Sequence, residues 1–354
     1  MKGVILHGGA GTRLRPFTFT GPKQLIPVAN KPVSQYVLED LTNSGIKDIA
    51  IVLGNIYPEL VVKYYGDGSR FGCRITYINQ GKPLGIAHAV GLAEEFVGND
   101  RFVVYLGDNL LQHGIKKYVK RFEKGDLDAL ILLKEVEDPR RFGVAEFDEN
   151  GNLVRLVEKP KIPPSNYALL GVYFFTPVIF DMIKRLKPSW RGEYEITDAI
   201  QMLIDNGYKV GYEIVKGWWF DTGKASDILT VNAVILDERV RREIKGDIIN
   251  SKIEGRVRIG KGTRIIDSVV RGPAVIGEGC VIRNSFIGPY TSIGNNVEIS
   301  GSSIEYCIIL DDAVIKDIDR IEESLIGKKA KVIKSPGNRK FLKLNIGDYS
   351  QVKL

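Results

Sequence analysis

Cysteine is scarce in this chain, and its scarcity removes two classes of protein at once. Cys73, Cys280 and Cys307 are the three present, with no CxxC spacing among them. Neither a disulfide framework nor a thiolate zinc site is expected, and a reducing cytoplasmic setting fits such usage. Histidine is as rare. His7, His88 and His113 are the whole supply, and none stands beside an evident carboxylate partner. An essential histidine acid or base therefore has no support. Long apolar runs are missing too. Nothing approaches the roughly 18 consecutive apolar residues of a membrane-spanning helix, and the opening MKGVILHGGAG breaks at glycines after too short an apolar run for a signal sequence. The expectation is an unexported, cytoplasmic protein with no membrane partner. Basic residues exceed acidic ones, for a net charge of +7. They are spread along the chain, mixed with acids and not interleaved with aromatics, a pattern that argues against nucleic acid. It fits attraction of polyphosphate substrates, or a plain lysine-rich surface.

What is present is ample for a core: 354 residues, 44% hydrophobic and 26% charged, a length that points to two domains. The first part alternates strand and helix signals. Val4–Leu6, Ile49–Leu53, Ile75–Tyr77, Phe102–Leu106, Asp128–Leu133 and Gly171–Phe175 read as buried strands. Lys31–Ser44 reads as a helix, with Val33, Tyr36, Val37 and Leu41 on one face and Gly45 as its stop. Such alternation predicts an open, mostly parallel, Rossmann-like α/β sheet, whose ligands sit beyond the carboxyl ends of the strands. The glycines after Leu6 and the Gly107–Asp108 turn after Leu106 occupy two such ends. Ser226–Lys245 reads as a helix, its charged second half a connector. From about residue 250, Ile or Val recurs at 253, 259, 265, 270, 276, 282, 287, 293, 299, 304, 309, 315, 321, 326 and 332. Steps of five or six residues, with Gly, Asn, Asp and Ser between them, predict a parallel β-helix of hexapeptide repeats. The division expected is 1–245 for a catalytic domain and 246–354 for the β-helix, with Ser335–Leu354 as a cap over its open end.

Chemistry concentrates in few places. Gly8-Gly9-Ala10-Gly11-Thr12-Arg13 follows a buried strand, as a phosphate cradle would, because glycines let backbone N–H groups close on phosphate oxygens. It lacks the Gly-Lys-Ser/Thr of a Walker loop, and Leu14 interrupts a GxGxxG. Arg13 and Lys23 supply the fixed cations that charge build-up on a reacting α-phosphate requires. Asp108 and Asp221, at two apparent strand ends, suit magnesium, which takes one or two carboxylates together with phosphate oxygens and water. Taken singly, each feature has a plainer reading as a turn former or a surface cation.

The ordered motifs GGAGTRLRP, PKQLIPVANKP, GKPLGIAHAV, LGDN, VEKP, GEYEITDAI and WWFDTG resemble those of the sugar nucleotidyltransferases, across nearly the whole chain. The resemblance is closest to the long-form thymidylyltransferase branch, which carries a C-terminal left-handed β-helix. It implies Gly8, Gly9, Gly11, Thr12 and Arg13 as the triphosphate loop, with Arg13 catalytic. It implies Lys23 as the lysine bridging the reacting phosphates, Gln24 as a nucleotide contact, and Gln80 and Gly85 as the base site. Asp108, which also faces the nucleotide, and Asp221 are the implied Mg2+ ligands. Gly143, Glu158, Lys159, Val172, Glu193 and Thr197, with Lys23, are the implied sugar phosphate site. The implied reaction is in-line attack of glucose 1-phosphate on dTTP, giving dTDP-glucose and pyrophosphate. Lys23-Gln24-Leu25 resembles thymidylyl members more than uridylyl ones. Thymine and uracil differ by one methyl, which yields only about 10–200-fold discrimination, so UTP is the alternative triphosphate. β-Helices of this look also occur in acyltransferases that use a histidine base, and residues 250–332 contain no histidine. The β-helix is expected to serve packing and assembly into a homo-oligomer, a dimer or tetramer.

Overall fold

The structure, a computed structural model, describes residues 1–334 and 349–352. It divides into two compact units. One comprises Met1–Gly11, Thr20–Leu25 and Val33–Asp221; the other comprises Thr12–Phe19, Ile26–Pro32 and the chain from Thr222.

The first unit is built on a nine-stranded sheet. Lys2–His7 lies at its centre, parallel to Asp48–Leu53 on one side and Phe102–Leu106 on the other, and Arg74–Asn79 continues the parallel set. Alternate residues of the central strand enter opposite cores: Val4 and Leu6 into one, Ile5 into the other. Burial on both faces explains why these strands read as continuous apolar runs rather than alternating ones. The expected helix runs Val33–Asn43 and buries Val33, Tyr36, Val37 and Leu41 as its periodicity requires. Tyr167–Phe175 interrupts the parallel pairing, running antiparallel to Phe102–Leu106 and to Ala129–Glu135, and Val210–Ile214 then pairs parallel with Ala129–Glu135. The register of that long strand shifts between Leu169 and Tyr173. Its first half pairs with Gly143–Phe147 through Ala168 and Val144, opening the sheet at the end of Phe102–Leu106. Among the described residues, no helix is long and apolar enough to cross a membrane.

The second unit contains a parallel β-helix of three sheets, with six, six and five strands. Ile259, Ile276, Ile293 and Ile309 stack in one sheet; Ile265, Ile282, Ile299 and Ile315 in the second; Val270, Ile287 and Ile304 in the third. All eleven are at most 1% exposed and form one core. At the corners a serine ladder links successive coils: Ser285 N–H donates to Ser268 Oγ at 3.1 Å, and Ser302 N–H to Ser285 Oγ at 3.2 Å. Each corner donor thus finds a partner one coil away.

The boundary differs from the one expected at residue 245. The helix stops earlier, spanning Ala225–Arg239, and Glu243–Ile244 already pairs with the β-helix strand Val257–Ile259. That helix belongs to the second unit because its buried residues, Ile228, Val231, Asn232, Ile235 and Leu236 among them, pack there. A charged stretch in a sequence marks exposure, not the element against which its neighbours are buried. The expected cap over 335–354 lies, apart from 349–352, outside the described residues.

The β-helix core makes a stability prediction. Ile282 is fully buried between Ile265 and Ile299. Ile282→Ala is expected to cost about 2–5 kcal/mol, the transfer loss plus a cavity. Arg283→Ala, on the exposed neighbour, is expected to stay within about 0.5 kcal/mol. Denaturant midpoints of the full chain, followed by far-UV circular dichroism, check the contrast.

Candidate active site

In the first unit, the central strand ends at His7 and the chain turns into Gly8 and Gly9. His7 is buried, and neither ring nitrogen has a hydrogen-bond partner. Burial pushes its pKa down to about 3, with nearby Lys23 lowering it further and Asp108 opposing. The imidazole is neutral at any ordinary pH and packs edge-on to the Tyr65 ring, 6.0 Å away.

The turn Lys23–Leu25 brings two side chains against the glycine loop. The Lys23 Nζ lies 3.7 Å from where a Gly9 Cβ would stand. Gln24 is 1% exposed and donates from Nε2 to the Gly8 carbonyl at 2.8 Å. Its Oε1 is buried without a partner, a costly state that a ligand donor would relieve.

Lys23 forms an ion pair with Asp108, which follows the strand Phe102–Leu106 and is 6% exposed. Burial alone would raise the Asp108 pKa, but the Lys23 ammonium and a 3.2 Å bond from Asn109 Nδ2 outweigh it and hold the carboxyl below its ordinary range. Asn109 is itself fixed, its Oδ1 accepting from Gly171 N–H at 3.2 Å and from the Trp219 indole at 2.8 Å. Trp219–Asp221 pairs antiparallel with Asn109–Leu111, and the register sets Asp221 directly opposite Asn109. Two aspartates 113 positions apart in sequence thereby become neighbours across one ladder. Their oxygen donors are the hard ligands that magnesium takes, and a third carboxylate is unnecessary when phosphate oxygens complete the shell.

Gln80, mostly buried, donates from Nε2 to the Gly85 carbonyl at 3.3 Å, and its Oε1 lies 3.0 Å from a Gly8 Cβ position. Gly85 has φ +111°, and a Cβ there would lie 2.5 Å from the Tyr194 carbonyl oxygen. Only glycine fits. Tyr194 N–H donates to Leu84 O at 2.7 Å and Ala87 N–H to Tyr194 O at 3.1 Å. The segment implied for the base is therefore stitched to the segment 189–195.

That segment closes a cluster of carboxylates and cations. Glu158 pairs in register with Gly143 and accepts from Thr197 Oγ1 at 3.2 Å. A side chain on Gly143 would run into Thr197, 2.5 Å away. Lys159 Nζ is 3.5 Å from Glu158, and Arg191 Nη1 is 3.6 Å from it. Arg191 also meets Glu193 at 2.9 Å and Glu195 at 3.2 Å. Burial pushes the Glu158 carboxyl up, with Lys159 opposing and Glu195 adding to the rise. Val172 stands apart: its side chain is fully buried in the apolar core with Tyr105 and Phe174.

Thr12 and Arg13 belong to the second unit and are exposed. The Arg13 guanidinium lies against Gly223, where a Cβ would come within 2.8 Å of a guanidinium nitrogen. Asn109, Arg191, Glu195 and Gly223 were not among the residues expected from sequence. Asn109, Glu195 and Gly223 lie within LGDN, GEYEITDAI and WWFDTG beside residues that were, and Arg191 immediately precedes the second motif, so adjacency to those motifs was the available signal.

The comparisons with known proteins agree on nucleotidyl transfer and differ on the nucleotide, a solved UDP-glucose pyrophosphorylase with UDP-glucose bound (28% identical, TM-score 0.60, covering 67% of this chain and 99% of that one) standing among them. The family model described as Nucleotidyl transferase matches residues 2–238. The low-salt glycan biosynthesis nucleotidyltransferase Agl11 of Haloferax volcanii is 50% identical over the whole of both chains. A glucose-1-phosphate thymidylyltransferase of Streptomyces antibioticus is 47% identical, covering 100% of this chain and 99% of its own. A crystal structure from Bacillus anthracis, described as a glucose-1-phosphate thymidylyltransferase in complex with a sucrose, is 43% identical with a TM-score of 0.63; it covers 66% of this chain and 94% of that one.

The orphaned imidazole gives this site a pH signature. His7 has an ordinary value of 6.5 and a folded value of about 3. Between these, the unfolded chain takes a proton that the folded chain refuses, so stability falls as pH falls through that window. His7→Leu removes the group and is expected to flatten that decline in urea unfolding series between pH 6.5 and 4. Equal slopes in the two proteins would contradict a buried, neutral His7.

Proposed function

The chain belongs to the nucleotidyl transferase family, and from that membership and the site's geometry we propose that it joins dTTP to glucose 1-phosphate, forming dTDP-glucose and pyrophosphate. The observation that carries the reading is the meeting of Lys23, Asp108 and Asp221 at the carboxyl end of the central strands, beside a glycine turn. A half-buried ammonium bound to a buried carboxylate, with a second carboxylate one ladder step away, is an arrangement that can exchange partners. When a polyanion enters, Lys23 turns from Asp108 toward phosphate.

An oxygen of the sugar phosphate attacks the α-phosphorus, the bond to the bridging oxygen of pyrophosphate breaks, and no proton need move. The protein's work is positioning and charge. Gly8 and Gly9 leave room for the phosphates. Gln24 offers its unpartnered Oε1 to the nucleotide, and Gln80 and Gly85 shape the base site. Glu158, Thr197 and Gly143 form the floor for the sugar; Lys159 and Arg191 hold its phosphate; Arg13 supplies charge to the reacting phosphates. Asp108 and Asp221 would hold Mg2+, which screens triphosphate charge when bound. The thymidylyl names of the relatives, together with Lys23-Gln24-Leu25, favour dTTP over UTP. Assembly into a dimer or tetramer belongs to the same reading.

Initial rates with dTTP, UTP, ATP and GTP against several sugar 1-phosphates test it, with pyrophosphate release as the readout. The highest kcat/KM is expected for dTTP with glucose 1-phosphate, UTP following within about 200-fold. No release with any pair would sink the proposal. Asp108→Ala and Asp221→Ala are each expected to lose at least about 10²-fold in kcat and to lose response to added magnesium. A near-normal Asp108→Ala enzyme would mean that the metal lies elsewhere.

A further inference from the structure

One face of the β-helix is covered, and what covers it is part of the phosphate-binding segment. In the sheet containing Val257–Ile259, Ala274–Ile276, Thr291–Ile293 and Ile308–Ile309, the inward residues join the core. The residues between them, Val275, Ser292 and Ile308, are outside that core yet at most 1% exposed. In the neighbouring sheets the corresponding Arg264, Arg283 and Arg271 are exposed. Within the second unit, the cover is the helix Ala225–Arg239 with the hairpin of Pro27–Val28 and Lys31–Pro32.

A single amide joins the three pieces. Asn232, 1% exposed, accepts at Oδ1 from Ala29 N–H at 2.8 Å and from Ser292 Oγ at 2.6 Å, and donates from Nδ2 to the Tyr290 carbonyl at 3.0 Å. Two further bonds reach the hairpin from the β-helix. Asn30 Nδ2 donates to Ile293 O at 2.6 Å, and Arg258 Nη2 to Ala29 O at 3.3 Å. The hairpin needs holding. Its two central residues, Ala29 and Asn30, have φ of +48° and +61°. An alanine in that region is strained and persists only where its surroundings over-determine it. Here both backbone polar groups of Ala29 are claimed by side chains of the same unit.

We propose that this β-helix face, centred on Asn232, positions the phosphate-binding segment, and that Asn232 is a positioning residue for catalysis. The segments Thr12–Phe19 and Ile26–Pro32 both belong to the β-helix unit, and between them in sequence lies Thr20–Leu25, which carries Lys23 and Gln24. The first segment carries Arg13, and its Phe17 ring lies 3.6 Å from where a Cβ on Gly327, in the β-helix, would stand. The stretch bearing Lys23 is thus flanked in sequence, on both sides, by segments held within the β-helix unit. The β-helix then does more than serve assembly: it holds the chain on either side of the stretch that carries Lys23. This rests on the reaction proposed above.

Two variants test it. Asn232→Leu keeps the volume and removes all three bonds. Asn30→Gly keeps the left-handed turn and removes only the bond to Ile293. The expectation for Asn232→Leu is a KM for dTTP raised about tenfold with kcat lowered, while KM for glucose 1-phosphate stays within about twofold. Asn30→Gly should move the same constants in the same direction by about two- to threefold, with the thermal midpoint unchanged. Hydrogen exchange read by mass spectrometry should be faster over 20–25 as well as 26–32 in both. Unchanged KM for dTTP in folded Asn30→Gly, or faster exchange confined to 26–32, would overturn the inference. Should the wild type turn over no nucleotide, the proposed reaction has failed, and the exchange pattern alone decides the tether.

Discussion

The ion pair between half-buried Lys23 and buried Asp108 is the constraint on which the rest of the first unit's candidate site depends. A carboxylate taken out of water costs several kcal/mol unless a counter-charge and hydrogen bonds replace its hydration. Asp108 therefore needs Lys23, and Lys23 needs the tight turn that delivers it beside the glycine loop. The other oxygen needs Asn109, which is held in turn by Gly171 and Trp219. Trp219 belongs to the short strand that ends at Asp221. One buried charge thus accounts for a helical turn, a strand irregularity and a distant two-stranded ladder. Such a pair is expensive as a structural device and useful as a functional one, because each partner can be handed to an incoming phosphate or cation.

The sugar side follows the same logic with weaker burial. Glu158, Glu193 and Glu195 would repel one another without Arg191 and Lys159 among them, and burial already raises the Glu158 pKa. Arg191 meets all three carboxylates from a single turn. The segment that carries it is bonded through the Tyr194 backbone to Leu84 and Ala87. The loop proposed for the base and the cluster proposed for the sugar consequently share two backbone hydrogen bonds, and at Gly85 they approach so closely that no side chain fits.

Much of the fold was legible because it is periodic. Fifteen Ile or Val positions at five- and six-residue steps specified the β-helix coil by coil, and the stacking of Ile259, Ile276, Ile293 and Ile309 follows directly from that spacing. The parallel strands were legible because burial on both faces writes itself as unbroken apolar runs. The antiparallel turn at Tyr167–Phe175 was not, since a run of apolar residues carries no direction. The unit boundary at Thr222 escaped for a related reason. Asn232 and Ala29 are unremarkable in sequence and acquire meaning only once they touch.

The sequence by itself determined the chemical inventory: which side chains could grip phosphate, which carboxylates could hold a divalent cation, and which motifs, in which order, carry them. Those properties belong to single residues and short spacings. Tertiary structure alone decided their assembly. It set Asp221 opposite Asn109, placed Val172 in the core, and drew Arg191 and Glu195 into the cluster around Glu158. It also placed Arg13 in the same unit as the β-helix. The reason is that a hydrogen bond or an ion pair depends on distance in space, and burial decides its strength, whereas a one-dimensional pattern records neither.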